Sequence, residues 1–311
     1  MDAQSSHTHI NSRSNIRKSN IPLNARILRR GARRVIYNFG HGSLNNSPVF
    51  FANSFPKSGT HLLTQVLKGF TKIGPAVDSG LLAVVTFDGF TGRQRSRDEI
   101  MMDLKRLLPG DIAYGHVHAF PEAVSYLCKE GVAAYFILRD PRDVVVSHVH
   151  YVAEMAPNHI HHRYYHETLK TFDERLCASI QGVSAEQLSA ALGFSVIEPL
   201  PDIRTRFEPY LDWLVHPEVK VLRYEDLISH RREIIGDLLD HAIQRGFIID
   251  KIRDSTISIL ENSINPRQSP TFRSGKIGDW PNWFNARHKQ LFKQISSELI
   301  IQLGYEFNPD W

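Results

Sequence analysis

A lysine, two hydroxyls and a glycine stand together in Pro56-Lys57-Ser58-Gly59-Thr60-His61, between an apolar run at 48–52 and a helical periodicity carried by Leu62, Leu63, Val66, Leu67 and Phe70. Such a segment suits an anion. The glycine permits close backbone approach, the hydroxyls and loop amides can surround a phosphate, and Lys57 adds a point charge. It is not a Walker A loop, in which the lysine follows the last glycine; here the lysine precedes it. A second segment of this kind, Arg139-Asp140-Pro141-Arg142-Asp143, leaves the apolar run 133–138, with Ser147 about two helical turns beyond Arg139. A guanidinium at a strand end and a hydroxyl on the next helix can grip one phosphate from two sides. Either segment alone also reads as an ordinary turn. Two of them at successive strand ends imply a ligand with two separated phosphate-like groups.

The elements that must position these loops follow from periodicity. From Ser47 onward, short apolar runs alternate with helical patterns, which predicts an α/β fold: a P-loop-like, mainly parallel central sheet flanked by helices, in one domain over 47–311. Strand, loop and helix follow one another at 48–70 and again at 133–150, where Asp140-Pro141 supplies a cap and a first-turn proline. Helices are expected at 97–108, 121–131, 231–245 and 286–303, and a strand at 219–222. The stretch 148–215, rich in histidine and aromatics, reads as an insertion covering the site. Ligands of such sheets bind beyond the carboxyl ends of the strands, where both loops fall.

Composition narrows the function classes. With 42% hydrophobic and 23% charged residues, 311 residues can bury a full core. No run approaches the roughly 18 apolar residues of a membrane helix, so no membrane span and a cytoplasmic location are expected. The formal charge of +4 is uneven: residues 1–50 carry eight Lys/Arg against one acid, Asp2, while the rest holds 29 bases and 32 acids. A general basic face for nucleic acid is therefore not offered. Residues 1–46 read as a basic, largely flexible tail containing an amphipathic segment at 23–37, with targeting or membrane contact as the alternative. Cys128 and Cys177 read as free thiols without metal-ligand company.

These residues resemble the sulfotransferases that use 3′-phosphoadenosine-5′-phosphosulfate (PAPS), over roughly 48–305. Pro56 to Thr60 is similar to that family's 5′-phosphosulfate loop, and Arg139 with Ser147 to its 3′-phosphate pair. Val221-Leu222-Arg223-Tyr224-Glu225-Asp226-Leu227 resembles the segment whose tyrosine contacts the adenine. Arg273-Ser274-Gly275-Lys276-Ile277-Gly278-Asp279-Trp280, followed by Asn282 and Phe284, resembles the late block that closes over the 3′-phosphate. The resemblance implies nucleotide contacts from Lys57, Ser58, Gly59, Thr60, His61, Arg139, Ser147, Tyr224, Arg273, Ser274 and Gly275. The chain departs from the family at Ser274, where a lysine is usual, and at Leu62, where a tryptophan stacks on adenine. Ser255 and Thr256 both fit one further nucleotide contact.

Sulfuryl transfer needs an in-line acceptor, a base and neutralisation of the charge that builds on the leaving phosphate. Lys57 suits the last role. The family's base is a histidine after a short strand, and Tyr114-Gly115-His116-Val117-His118 places His116 there, with His118, two residues on, as the alternative. Among His148, His150, His159, His161, His162 and His166, the pair His162 and His166 has helical spacing for a metal, but no recognised site is completed and no metal is expected. The implied acceptor is a small molecule or carbohydrate bearing a hydroxyl or amine, and a homodimer is compatible. The competing readings are a P-loop kinase or nucleotide hydrolase, and a non-catalytic nucleotide-binding protein of the same fold.

Overall fold

The computed structural model describes residues 21–41, 43–249, 251–269 and 275–311. In chain order they form α1 (Leu23–His41), β1 (Val49–Ser54), α2 (Thr60–Gly69), the short strands β2 (Val77–Asp78), β3 (Val84–Val85), β4 (Phe87–Asp88) and β5 (Arg93–Gln94), then α3 (Arg97–Lys105), β6 (Asp111–His116), α4 (Pro121–Cys128), β7 (Val132–Leu138) and α5 (Pro141–His150). There follow α6 (Phe172–Gln181), α7 (Ala185–Leu192), α8 (Ile203–Phe207), β8 (Val219–Arg223), α9 (Tyr224–Ser229), α10 (Arg231–Gln244), α11 (Arg253–Glu261) and α12 (Ala286–Gln302).

The sheet runs β2-β6-β1-β7-β8, every neighbouring pair parallel, with β3 added beside the end of β6. All seven residues of β7 and all six of β1 are buried, which is why these runs are continuously apolar rather than alternating. Alternation survives as a division between two faces. Phe51, Ala134 and Phe136 pack on one side with residues of α3 to α6, α8 and α12, whereas Phe50, Ala52, Tyr135 and Ile137 pack on the other with α2, α10 and α11. Phe50, Phe70 and Phe247 meet on the second side at ring centroid distances of 5.2 Å.

The expected elements are present with small shifts of boundary. The first strand continues past 52 to Ser54, because its last two residues still pair with Phe136 and Ile137 of β7. The helix expected to reach 108 ends at Lys105. Asp140 caps α5, accepting from the Arg142 amide at 2.8 Å, with Pro141 in the first turn. The two-residue strands β2 to β5 carry too little pattern to be read in advance. The basic segment expected at 23–37 is part of α1, whose Arg30 and Arg34 each reach the buried Asp111 carboxylate at 3.1 Å. Among the described residues no helix is long and apolar enough to cross a membrane.

Candidate active site

Because β1, β6 and β7 are parallel neighbours, their carboxyl ends bring Ser54, His116 and Leu138 to one edge of the sheet, and the loops after them share that edge. The loop after β1 is tightly turned. Lys57 has φ 70°, in the left-handed region that costs a non-glycine residue about 1–2 kcal/mol, and Gly59 follows at φ 103°. A Cβ on Gly59 would lie 2.7 Å from Tyr224 Cδ2 and 3.2 Å from Ile137 Cδ1, so the loop backbone rests directly on these side chains. Gly59→Ala should therefore displace the loop; calorimetry with the desulfated nucleotide 3′-phosphoadenosine-5′-phosphate (PAP) should show at least about tenfold weaker binding, a loss of 1.4 kcal/mol or more.

Tyr224, at the start of α9, joins the two expected anion loops. Its ring touches the Gly59 position, and the Arg139 guanidinium stacks on it at 4.6 Å. Arg139 Nη2 also donates to Asp143 Oδ2 at 2.9 Å and to the Lys276 carbonyl at 2.8 Å. Asp143 in turn accepts from the amides of Gly278 at 2.9 Å and Trp280 at 2.8 Å. The late block is thereby fastened over the amino end of α5, beside Arg139. Gly275, at φ 67°, adjoins this contact; Arg273 and Ser274 lie outside the described residues.

Asp143, Ser147 and Tyr151 are spaced i, i+4, i+8 and so share one face of α5 and its π-helical continuation Tyr151–Met155. Asp143 holds Arg139, and the Tyr151 ring lies 4.0 Å below Lys57 Nζ. Ser147 is one turn from each. At 1.5 Å per residue Asp143 and Tyr151, which meet the two cations, are roughly 12 Å apart along this helix, with Ser147 midway in the chain between them. Among the described residues, Ser58 Oγ and Arg139 Nε are buried without a hydrogen-bond partner. Such atoms cost about 1–3 kcal/mol each when unsatisfied, and an anion supplies the acceptor they lack.

His116 closes the third side. Its Nδ1 lies 3.0 Å from the Ser54 carbonyl and 3.0 Å from Ser54 Oγ. A carbonyl only accepts, so Nδ1 carries the proton and Nε2 keeps the lone pair. Burial, reinforced by the His61 and Lys57 charges, pushes its pKa down to about 4 against the opposing Ser54 bond. Ser54 Oγ also meets Thr60 Oγ1 at 2.7 Å, linking this histidine to the phosphate-type loop. His118 instead packs edge-on against Tyr210 at 4.8 Å. His61, in the first turn of α2, has its pKa lowered by burial and then by Lys57 and Lys68. Leu62 is partly buried on α2 beside it.

The remaining histidines form local contacts. His148 Nδ1 is 3.0 Å from Ser179 Oγ, His162 Nδ1 is 2.7 Å from the Val152 carbonyl, and the His162 and His166 rings stack at 5.3 Å. Among the described residues, the one grouping close enough for a shared ion is Cys128, His216 and Glu218, whose ligand atoms lie within 4.8 Å of one another. It lies before β7 and β8, at the opposite ends of the strands from the loops. Burial also pushes His161 and His241 to about 4. A group whose folded pKa is depressed is protonated more readily unfolded, so stability should fall as pH drops from 6.5 toward 4 and be level above 6.5. Each such histidine contributes up to about 1.4 kcal/mol per pH unit in that window, which urea unfolding at pH 7 and pH 5 measures.

Sequence reasoning overlooked Ser54, Tyr151 and the docking role of Asp143. The helical spacing of Asp143, Ser147 and Tyr151 was the available signal for the last two.

A parallel α/β sheet that gathers a lysine-bearing and an arginine-bearing loop at its carboxyl edge is the arrangement in which such folds take anionic ligands. The profile of the sulfotransferase domain matches residues 125–304, more than half of the chain, and the chain belongs to that family. The match takes in Arg139, Ser147, Tyr224 and the late block but begins after Lys57 and His116. Among solved structures, mouse sulfotransferase SULT7A1 complexed with PAP is 19% identical, with a TM-score of 0.53 over 82% of this chain and 84% of that one. Retinol dehydratase in complex with androsterone and inactive cofactor PAP is 15% identical, with a TM-score of 0.52 over 86% and 85%. Retinol dehydratase with retinol and PAP gives 16% identity and 0.52 over 83% and 82%. These show a shared fold. Among curated protein sequences, none matches.

Proposed function

We propose that this chain transfers a sulfuryl group from PAPS to a hydroxyl or amine of a small-molecule or carbohydrate acceptor, with residues 47–311 as the catalytic domain. The reading rests most heavily on Tyr224 and Arg139, which tie a lysine-bearing loop and an arginine-bearing loop into one site for a ligand with two anionic ends. Membership of the family and the PAP in the similar structures support the same donor. When bound, PAPS supplies the sulfuryl group and its phosphate is the leaving group. Ser58, Gly59, Thr60 and His61 hold the 5′ end, with Lys57 opposite the charge that develops there. Arg139, Ser147 and the late block from Arg273 to Gly275 hold the 3′ end, and Tyr224 lies between the two. His116 Nε2 takes the acceptor's proton, its tautomer fixed by Ser54.

Calorimetry should detect PAP at one site per chain. Incubation with sulfur-labelled PAPS and a mixed acceptor library, read by mass spectrometry, should then reveal an added sulfuryl group. PAP failing to bind at millimolar concentration would remove the reading, and magnesium-dependent ATP hydrolysis in its place would favour the nucleotide hydrolase. PAP binding without transfer to any acceptor would favour a non-catalytic nucleotide-binding protein.

A further inference from the structure

Helix α1 is docked the wrong way round for an ordinary surface helix, which buries its apolar stripe and shows its charges to water. Leu28, Val35, Ile36 and Phe39 are 74%, 54%, 72% and 90% exposed. With Ala32 they fall within about 100° of arc on one side of the helix. The opposite side holds arginines. Arg30 and Arg34 bind Asp111, Arg33 donates to the Ser79 carbonyl and Arg26 to the Gly80 carbonyl. Asp111 has no exposure and its ion-pair partners come from this helix, so turning α1 over would strand a buried carboxylate. The outward apolar stripe is thus enforced by the docking.

We infer that this stripe is an interfacial membrane anchor that sits in the headgroup region of an anionic bilayer. Charge selects that occupant. The helix contains no acidic residue, Arg29 flanks the stripe on its exposed side, and Arg13, Arg17 and Lys18 precede the helix with Asp2 as the sole acid before it. Apolar residues beside bases suit a surface of anionic lipid, where hydrophobic insertion and electrostatic attraction add. A second copy of the chain fits less well. It would set like charges against each other, and the stripe offers on the order of a few hundred Å², whereas a standard interface buries about 800 Å² per partner. Asp111 opens the strand that ends at His116, so the anchor is roughly 17 Å of strand from that histidine and leaves the nucleotide loops clear of the lipid.

The test is sedimentation of the full chain with vesicles of phosphatidylcholine containing roughly a third phosphatidylserine. The native chain should co-sediment, less so in added salt. A variant carrying Leu28→Ser, Ile36→Ser and Phe39→Ser should partition at least about tenfold more weakly while binding PAP as before, because all three side chains point away from the body. In a second measurement, Phe39→Trp should gain a blue-shifted emission component on addition of the same vesicles. Equal partitioning of the native chain and the triple variant would overturn the inference. So would a native dimer that ignores vesicles and becomes a monomer in the variant, which would assign the stripe to a second copy.

Discussion

Replacing His116 by alanine should lower kcat by about 10²–10⁴, the range that a positioned general base contributes, while PAP binds nearly as well as to the native chain. Loss of turnover alone would not distinguish a base from a support for the loop, because Ser54 connects His116 to Thr60. PAP affinity makes that distinction, since a collapsed loop would lose the nucleotide too. His118→Ala is the control; its ring packs on Tyr210, and its removal should change kcat far less. The pH profile gives a separate reading. With a pKa pushed down to about 4 by burial, His116 is neutral and able to accept a proton throughout the neutral range. The rate should be level there and fall only on the acid side, as protonation removes the Nε2 lone pair. A His116→Ala enzyme with native kcat would leave the transfer without its assigned base.

Much of this arrangement was legible in the residues. Continuous apolar runs marked β1 and β7 because strands covered on both faces have no polar side to show. The Lys57 to Thr60 and Arg139 to Asp143 segments could be located because anion loops of parallel sheets fall at strand ends. What stayed hidden was long-range contact. Nothing near Tyr224 in the sequence announces that its ring would rest on Gly59 and under Arg139, 165 and 85 positions earlier in the chain. Nor does a basic, amphipathic stretch at 23–37 reveal which of its faces meets the body. That depends on Asp111, whose buried carboxylate selects the arginine side. Periodicity reports that a helix has two faces, and the tertiary partner decides which of them is covered.

Lys57→Met should reduce kcat by about 10²–10³, the usual effect of removing one preorganised group from a developing anion. PAP affinity should fall by less than about tenfold, since the loop amides, Ser58 and Arg139 remain to hold the nucleotide. Arginine is a poor replacement, because a planar guanidinium cannot reproduce the compact charge of an ammonium held 4.0 Å over the Tyr151 ring. Lys57→Gly separates function from folding. The native residue holds φ 70° at a cost of about 1–2 kcal/mol, and glycine adopts that angle freely while losing up to about 1 kcal/mol in unfolded-state entropy. The glycine variant should therefore unfold in urea no earlier than the native chain, its stability higher by this difference of up to about 2 kcal/mol, yet be as slow as the methionine variant. That pair of results would mark strain kept at a position whose side chain serves transfer and not the scaffold. A glycine variant that loses stability along with activity would instead make Lys57 part of the scaffold.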